Sequence, residues 1–231
     1  MLGRLFTEQF AFSKGDSVVV IGLGRFGSAV AQSLMRMGHD VMGIDRNAEP
    51  VQQWADLLTH TVQADSTNAG VLRQLGVADF SHAVVGIGTD LASSLMTVMA
   101  LTELGIGDIW VKALTGEHGQ IAQRIGAHHV VYPEADMGER VAHLVSGRMM
   151  DYIEFDDGFA IAKVHAPTPI HGRILGESRV REKFGVTVVG IKRANEDFQH
   201  ATPSTLVLAD DLLIVSGPTR KVEQFASHTR A

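Results

Sequence analysis

The chain contains no cysteine among its 231 residues. Disulfides, thiolate metal ligands and a cysteine nucleophile are therefore excluded, and an intracellular location is expected. No apolar run approaches the roughly 18 residues of a membrane span, and the N-terminus lacks the apolar segment of a signal peptide. The formal net charge is −6, and basic residues form no stripe. Nucleic acid is consequently not expected as a partner, since a phosphate-backbone binder usually carries a basic face.

The composition is that of an ordinary globular protein, with 45% hydrophobic and 20% charged residues. The length accommodates one domain of about 130 residues and a second of about 80. The pattern predicts an N-terminal arm, a larger first domain, a connector helix and a smaller C-terminal domain, at residues 1–14, 15–135, 136–152 and 153–231. We interpret the arm either as a frayed terminus or as a segment that packs on a neighbouring subunit or membrane partner.

Strand-like and helix-like segments alternate from residue 17 to residue 131. The predicted strands are apolar runs at 17–21, 40–44, 60–64, 82–87, 108–112 and 129–131. Helical patterns lie between them, at 25–37, 48–57, 67–75, 90–104 and 117–125. Thr67 and Thr89 are expected to cap two of these helices. Buried strands separated by helices are typical of parallel βαβ units, so the predicted fold class is α/β, with a doubly wound sheet of the Rossmann type.

The pattern changes after residue 135. A long helix is predicted over 136–150, with an apolar face formed by Met137, Val141, Leu144 and Val145. Alternating residues around the turn signal Asp156-Asp157-Gly158 predict a hairpin over 153–164. Helices at 172–184 and 218–227, a turn at 194–197, and strands at 186–192, 205–208 and 212–216 complete the C-terminal domain. It is predicted to be a small α+β lobe.

A glycine motif, Gly22-x-Gly24-x-x-Gly27, follows the first strand and opens the first helix. Gly22 allows a tight turn, Gly24 lets a phosphate approach the backbone, and Gly27 lets helix and sheet pack closely. Amide groups at a helix N-terminus favour anions. Asp45 ends the second strand, where an acidic residue accepts hydrogen bonds from ribose hydroxyls. Together they predict a nucleotide site; the alternative is that the glycines serve only the turn.

Other candidate residues lie in this loop and at the carboxyl ends of strands, where ligands bind in open α/β sheets. Arg25 either pairs with an additional terminal phosphate or keeps its charge in water. The strand-end candidates are equally well explained as turn or cap residues, and they are Asp65, Ser66, Ile87, Gly88, Thr89, Lys112 and Ala113.

Four segments carry a resemblance to a known family. They are Val-Ile-Gly-Leu-Gly-Arg-Phe-Gly at 20–27, Met-Gly-His-Asp-Val at 37–41, Ile-Trp-Val-Lys-Ala at 109–113 and Pro-Glu-Ala-Asp-Met-Gly at 133–138. In them the chain resembles the RCK, or TrkA/KtrA-type, regulatory subunits of bacterial potassium uptake systems, and the likeness covers nearly the whole chain after residue 14. The resemblance implies a cytosolic protein, peripheral at the membrane. It would form homodimers and a homo-octameric ring under a dimeric potassium-translocating subunit of the KtrB or TrkH type.

The same resemblance implies that ATP and ADP, or in some members NAD(H), compete for the N-terminal domain and set the shape of the ring. Arg25 matches an arginine at the terminal phosphate of ATP, partly across the dimer. Glu134 matches a glutamate that helps to bind Mg²⁺ or Na⁺ between phosphates. Asp45 and Asn47 match ribose positions, and Asp65 and Ser66 the adenine side. The other implied nucleotide contacts are Gly22, Leu23, Gly24, Phe26, Gly27, Arg46, Ile87, Gly88, Thr89, Lys112, Ala113, Leu114 and His118.

The C-terminal domain is similar to RCK C-terminal domains, some of which bind cyclic di-AMP at a dimer interface. Arg181 and Pro203 fall where such relatives carry a ligand arginine and proline. The sequence departs from the pattern at Arg179, where relatives often have aspartate, and at Thr187, where they have asparagine. Binding of cyclic di-AMP is therefore left open.

The function predicted from these residues is that of a nucleotide-sensing gating subunit, not an enzyme. One alternative is an NAD(H)-binding regulatory subunit of the same transport class. Another is an NAD-dependent dehydrogenase, which would need an acid/base cluster in the C-terminal domain that the sequence does not offer. A DNA-binding repressor would need a basic helix-turn-helix, which is also lacking. His128 and His129 are adjacent in a strand and so cannot chelate one metal together.

Overall fold

The computed structural model describes residues 17–145, 149–155 and 158–228. The predicted arm at 1–14 lies outside these residues. The chain divides into two units between Glu134 and Ala135.

The N-terminal unit is built on a six-stranded sheet in which every pair of neighbours is parallel. The strand order is β3-β2-β1-β4-β5-β6, so the direction of winding reverses between β1 and β4. The strands are β1 Ser17–Ile21, β2 Asp40–Asp45, β3 His60–Gln63, β4 His82–Val85, β5 Asp108–Lys112 and β6 His129–Val131. This order confirms the predicted doubly wound Rossmann-type fold, and ligands bind in such folds at the point of reversal.

Helices connect these strands and cover both faces of the sheet, as parallel strands buried on both faces require. They are α1 Arg25–Arg36, α2 Ala48–Trp54, α3 Ala69–Gln74, α4 Leu91–Glu103 and α5 Gly116–Arg124. The predicted caps Thr67 and Thr89 are wrong by one residue. Asn68 caps α3, and Asp90 caps α4 by accepting the Ser93 N–H. Asparagine and aspartate satisfy a free N–H of the first turn at least as well as threonine.

Two apolar clusters hold the sheet and its helices together. One contains Val19, Ile21, Met42, Ile44 and their neighbours on α4 and β5, and most of these residues are fully buried. The other includes Val18 and Val20, which alternate with the first pair along β1. Because both faces of β1 are buried, the strand is continuously apolar. The carboxyl end of this buried strand is thereby fixed in place, directly before the glycine loop.

A helix is present where the connector was predicted over 136–152, but both of its ends differ. Helix α6 spans Pro133–Val145 and therefore begins three residues earlier. Proline is favourable at the first helical position, because its missing N–H would have no partner there. Asp151 already belongs to strand β7 and pairs in register with Lys163. Sheet pairing thus determines the structure from residue 151, and the helix ends before it.

The C-terminal unit contains a five-stranded antiparallel sheet in the order β11-β10-β13-β8-β7. Its strands are β7 Asp151–Phe155, β8 Phe159–His165, β10 Thr187–Lys192, β11 Gln199–His200 and β13 Leu212–Pro218. Helix α9, Thr219–Ala226, packs on β8 and β13 with Val222 and Phe225 fully buried. The predicted small α+β lobe is confirmed, and β7 and β8 form the predicted hairpin.

The helix predicted over 172–184 is confirmed only in part, because it begins later and is broken into two. Arg173–Ile174 forms strand β9, which pairs with β12 at Leu206–Val207. Two short helices follow, α7 at Leu175–Ser178 and α8 at Val180–Phe184. Arg179 separates them with a φ of 50°, a left-handed conformation that interrupts a helix. Strand pairing and this break override the helical pattern of the sequence.

Candidate nucleotide site

The glycine loop lies between β1 and α1, and each of its glycines is required for a different reason. Gly22 has a φ of +88°, a backbone conformation that residues with a Cβ rarely adopt. A Cβ on Gly27 would lie 1.9 Å from the Gly22 carbonyl oxygen, so α1 could not pack where it does. A Cβ on Gly24 would meet no atom within 4 Å. The glycine at position 24 is therefore not explained by packing within the chain, and its backbone is exposed.

The N-terminus of α1 faces this opening. Gly24 occupies the N-cap position and supplies no side-chain hydrogen bond, and the first turn contains no acidic residue. The first N–H groups of a helix have no partner within the helix, and they carry the positive end of its dipole. Arg25, exposed at the first helical position, adds a formal positive charge. This arrangement can bind a phosphate group through several charge-assisted hydrogen bonds.

Asp45 holds the loop from the neighbouring strand. One of its carboxylate oxygens accepts the Leu23 N–H at 2.8 Å, and the other accepts the Asn47 N–H at 2.8 Å. The Gly22 N–H donates to the Ile44 carbonyl at 2.7 Å in the same region. Asp45 is thus placed beside the glycine loop, as predicted for a ribose-binding carboxylate. It also fixes the loop itself, a role that the spacing of the sequence did not reveal.

Sequence reasoning missed Gly86, which completes the loop from β4. Its N–H donates to the Ile21 carbonyl at 2.7 Å. A Cβ on Gly86 would lie 3.0 Å from the Gly22 oxygen and 3.2 Å from the Gly27 Cα. The Ile87 side chain and backbone lie against Gly22 from the same side. The backbones of Gly22, Gly27 and Gly86 thus lie very close together. The only sign of this in the sequence is a glycine directly before the Ile87-Gly88-Thr89 segment.

An ion pair between Lys112 and Glu134 lies on the other flank of the loop. The Lys112 ammonium donates to a Glu134 carboxylate oxygen at 2.5 Å, and it lies 5.7 Å from the centre of the Phe26 ring. Gly88 leaves room for Lys112, since a Cβ there would lie 3.3 Å from the lysine Cε. The hydrogen bond from Lys112 lowers the pKa of Glu134, and the charge of Arg25 adds a smaller effect. Residues from five separate segments are therefore brought together at one edge of the sheet.

The remaining strand-end residues lie around this group. Ala113 is buried, with its N–H bonded to the Val131 carbonyl, whereas Leu114 is half-exposed near Gly88. Thr89 is exposed and follows Gly88 directly. These placements are compatible with contact to a ligand through backbone atoms and the Leu114 side chain.

Arg46 and Asp65 form the outer part of the site, at the ends of β2 and β3. Arg46 forms an ion pair with Asp90 at 3.1 Å. Asp65 accepts hydrogen bonds from the Thr67 hydroxyl at 2.7 Å and the Thr67 N–H at 3.0 Å. These two bonds are the main reason why the pKa of Asp65 is lowered. Thr67, expected as a helix cap, therefore fixes the direction of the Asp65 carboxylate instead.

Two predicted contact residues have their side chains turned inward. The Ser66 hydroxyl is buried and lies 2.8 Å from the Thr97 hydroxyl. The His118 ring is buried, with its Nε2 3.2 Å from the Ser94 hydroxyl. Burial lowers the pKa of His118, which favours the neutral ring at pH 7. Any contact of Ser66 with a nucleotide is thus left to its backbone.

The buried imidazole of His118 predicts a pH dependence of stability. Because its pKa is lowered in the folded state, the unfolded chain binds the proton more readily once the pH falls below about 6.5. Folding stability is therefore fully present above this pH and declines as the pH falls toward the folded-state pKa. We expect His118→Gln to make this decline shallower in urea unfolding measured from pH 7.5 to 5. The exposed His165, changed to Gln, is the control; an equal effect of both changes would contradict the assignment.

In the C-terminal unit, Arg181 and Thr187 lie together. The Arg181 Nε donates to the Thr187 hydroxyl at 3.2 Å. Pro203 lies against Gly176 of α7, whose N–H donates to the Pro203 carbonyl at 2.8 Å. Arg179, one of the two departures from the relatives' pattern, forms an ion pair with Glu182.

No group of three or more His, Cys, Asp or Glu side chains within 17–145, 149–155 and 158–228 is arranged to hold a metal ion. Glu134 belongs to no such group, so a cation there would need further ligands, such as phosphate oxygens. Across the same described residues, no helix combines the length and the apolar character needed to cross a membrane.

Comparison with known proteins agrees with this geometry. The fold and the glycine loop define a protein of the Rossmann-type nucleotide-binding class. Residues 18–133 match the TrkA-N domain family, and residues 159–229 match the TrkA-C domain family. The chain is 36% identical over 207 residues to the Ktr system potassium uptake protein C of Bacillus subtilis, covering 89% of this chain and 94% of that protein. It therefore belongs to the Ktr and Trk family of potassium uptake proteins.

A further relative supports the same assignment, and solved structures share the fold. The Ktr system potassium uptake protein A of Bacillus subtilis is 33% identical over 225 residues, which cover 97% of this chain and 98% of that protein. The RCK domain of GsuK has a similar fold, with a TM-score of 0.64 over 99% of this chain at 17% identity. A structure of GsuK bound to ADP matches 64% of this chain with a TM-score of 0.50 and 26% identity. This chain spans 52% and 38% of those two solved chains.

Proposed function

We propose that this protein is the nucleotide-sensing regulatory subunit of a bacterial potassium uptake system, and not an enzyme. ATP and ADP would bind at the glycine loop, and the bound nucleotide would regulate a membrane potassium-translocating subunit. The observation that carries this proposal is the grouping of Arg25, Lys112 and Glu134 beside a helix N-terminus that is open at Gly24. The names of the Bacillus subtilis relatives and the ADP-bound neighbour support it.

Discrimination between ATP and ADP follows from the charges around the loop. A diphosphate would be held by the N-terminus of α1, with the Lys112–Glu134 ion pair left intact. A third phosphate would bring further negative charge toward Arg25 and Lys112 and would repel Glu134 unless a cation, Mg²⁺ or Na⁺, lay between them. Glu134 would then bind the cation, and Lys112 would be released to the phosphates. Only such a difference in affinity between two states can shift a conformational equilibrium.

Glu134→Gln tests the role assigned to this carboxylate. The amide carries no charge to hold a cation, so Mg²⁺ should no longer strengthen ATP binding in calorimetric titrations. ADP affinity should change by less than about threefold, as for an exposed group that the diphosphate does not reach. Glu139→Gln, which changes another exposed carboxylate on α6, is the matched control. Retention of the full Mg²⁺ effect by Glu134→Gln would exclude the proposed cation site.

Assembly is expected to transmit the nucleotide state. Helix α6 carries four exposed apolar residues on one face, Met137, Val141, Leu144 and Val145, and Val145 is 81% exposed. Such a stripe on an otherwise polar helix is typical of a surface that another subunit covers. We propose a homodimer through this face, assembled further into a homo-octameric ring at the inner face of the membrane. In the C-terminal unit, Arg181, Thr187 and Pro203 are the candidate residues for cyclic di-AMP.

A ranking of ligands by thermal shift tests the proposed function. ATP and ADP should each raise the melting temperature of the full chain more than NADH does, and only the effect of ATP should grow when Mg²⁺ or Na⁺ is added. A larger effect of NADH would favour the NAD(H)-binding alternative. Oxidation of NADH with a 2-oxo acid, or reduction of NAD⁺ with a 2-hydroxy acid, would instead establish a dehydrogenase. A shift with cyclic di-AMP that is lost in Arg181→Ala would assign the second site.

A further inference from the structure

Helix α4 presents two hydroxyl groups to the interior of the N-terminal unit. Ser94 and Thr97 are one turn apart and therefore lie on the same face of the helix, and both are fully buried. Their neighbours on this face, Val98 and Leu101, are apolar and equally buried. Each hydroxyl bonds to a residue from a different segment, Thr97 to Ser66 and Ser94 to His118. Both partners belong to the predicted nucleotide site.

A buried hydroxyl pair is not needed to pack this helix. Replacing both partners of such a pair by apolar groups of the same shape is often neutral for stability, whereas removing one partner leaves the other unsatisfied. The Ser66–Thr97 pair instead fixes the orientation of both side chains, because a hydroxyl–hydroxyl bond of 2.8 Å holds each in one rotamer. Thr97 thereby fixes the position of Ser66.

The segment Asp65-Ser66 is then held from both sides at the end of β3. Thr67 fixes the Asp65 carboxylate through two hydrogen bonds, while Thr97 fixes Ser66 from the interior. The Asp65 carboxylate and the backbone groups of Ser66, held in this way, present donors and acceptors at set positions. The adenine edge offers an N6 donor beside an N1 acceptor, whereas guanine offers an O6 acceptor beside an N1 donor. A rigid polar edge can therefore accept one base and reject the other.

We infer that Thr97, which lies outside the loops of the site, is a positioning residue for recognition of adenine: it fixes Ser66, and with it the polar edge that distinguishes ATP from GTP. This inference rests on the proposed function, since it requires a nucleotide whose base reaches the end of β3.

The experiment compares Thr97→Val with Thr97→Ser in the full chain. Valine keeps the shape of threonine but removes the hydroxyl, and serine keeps the hydroxyl. ATP and GTP affinities are measured by calorimetry, and the ratio of the two is the readout. We expect Thr97→Val to lower the preference for ATP over GTP about tenfold, while Thr97→Ser stays within about twofold of the unaltered protein. Ser178→Ala removes a buried hydroxyl in the C-terminal unit, outside the nucleotide site, and it should lower the melting temperature while leaving this ratio unchanged.

The outcomes separate this inference from the proposed function. An unaltered ATP-to-GTP ratio in Thr97→Val, with only a lower melting temperature, would overturn the inference. Equal binding of ATP and GTP by the unaltered protein would overturn it as well, although the assignment as an ATP and ADP sensor would stand. Failure of the unaltered protein to bind any adenine nucleotide would overturn the proposed function first. If Thr97→Val does not fold, Ser66→Ala removes the same hydrogen bond from the other side and is expected to give the same tenfold change.

Discussion

The Arg25→Ala protein is expected to bind ATP about 30-fold more weakly than the unaltered protein, while its affinity for ADP changes by less than about threefold. A charge-assisted hydrogen bond to a terminal phosphate contributes about 2 kcal/mol, which corresponds to this ratio. The side chain lies at the first position of α1 and is exposed beside the open face of Gly24. In the proposed complex the Arg25 guanidinium bonds to the third phosphate, which ADP lacks. Calorimetric titration of both nucleotides at saturating Mg²⁺ measures the two affinities.

Arg36→Ala is the matched control for this experiment. Arg36 is an exposed arginine in the last turn of the same helix, where its side chain bonds to Ser33 and Gln32. Its removal changes the net charge by the same amount but should leave both affinities unchanged. An equal loss of ATP and ADP binding in Arg25→Ala would mean that the arginine contributes general attraction rather than recognition of the third phosphate.

Two glycines of the same loop are expected to respond in opposite ways to alanine. Gly27→Ala should lower the free energy of unfolding by about 3 kcal/mol, because the new Cβ would lie 1.9 Å from the Gly22 carbonyl and force α1 away from β1. Gly24→Ala should leave the free energy of unfolding within about 0.5 kcal/mol, since the added Cβ meets no atom of the chain within 4 Å. It should nevertheless weaken binding of both ATP and ADP about 30-fold by blocking the phosphate.

Urea unfolding and calorimetry on the same samples separate these effects. Gly107→Ala is the control. A Cβ added at Gly107 would also meet no atom within 4 Å, but Gly107 precedes β5, at the opposite edge of the sheet. It should change neither stability nor binding. If Gly24→Ala bound nucleotides as tightly as the unaltered protein, the phosphate could not lie over this position, and the site would have to be placed elsewhere.

Much of the N-terminal unit could be predicted because its signals are local. Strands such as Ser17–Ile21 are buried on both faces and therefore read as continuous apolar runs, and the glycine motif with Asp45 has a fixed spacing in the chain. The convergence of Arg25, Lys112 and Glu134 was predictable only from the resemblance. These residues are far apart in sequence, and their proximity depends on the strand order.

The failures have specific physical causes. The pattern over 172–184 is helical in period, but pairing of β9 with β12 and the left-handed Arg179 are tertiary features that no local pattern encodes. The helix caps were misplaced by one residue, because threonine, asparagine and aspartate all cap well and two of them stand side by side at each site. The inward direction of Ser66 and His118 was also hidden, since it depends on partners on α4.

Competition between ATP and ADP for one site tests the central claim most directly. ATP is titrated calorimetrically into the full chain, first free and then saturated with ADP, with and without Mg²⁺. We predict one class of site per chain, displacement of ADP by ATP, and a dependence on Mg²⁺ for ATP alone. Simultaneous binding of both nucleotides, or no binding of either, would contradict the central claim. That claim is a single site at the glycine loop that distinguishes ATP from ADP by the third phosphate.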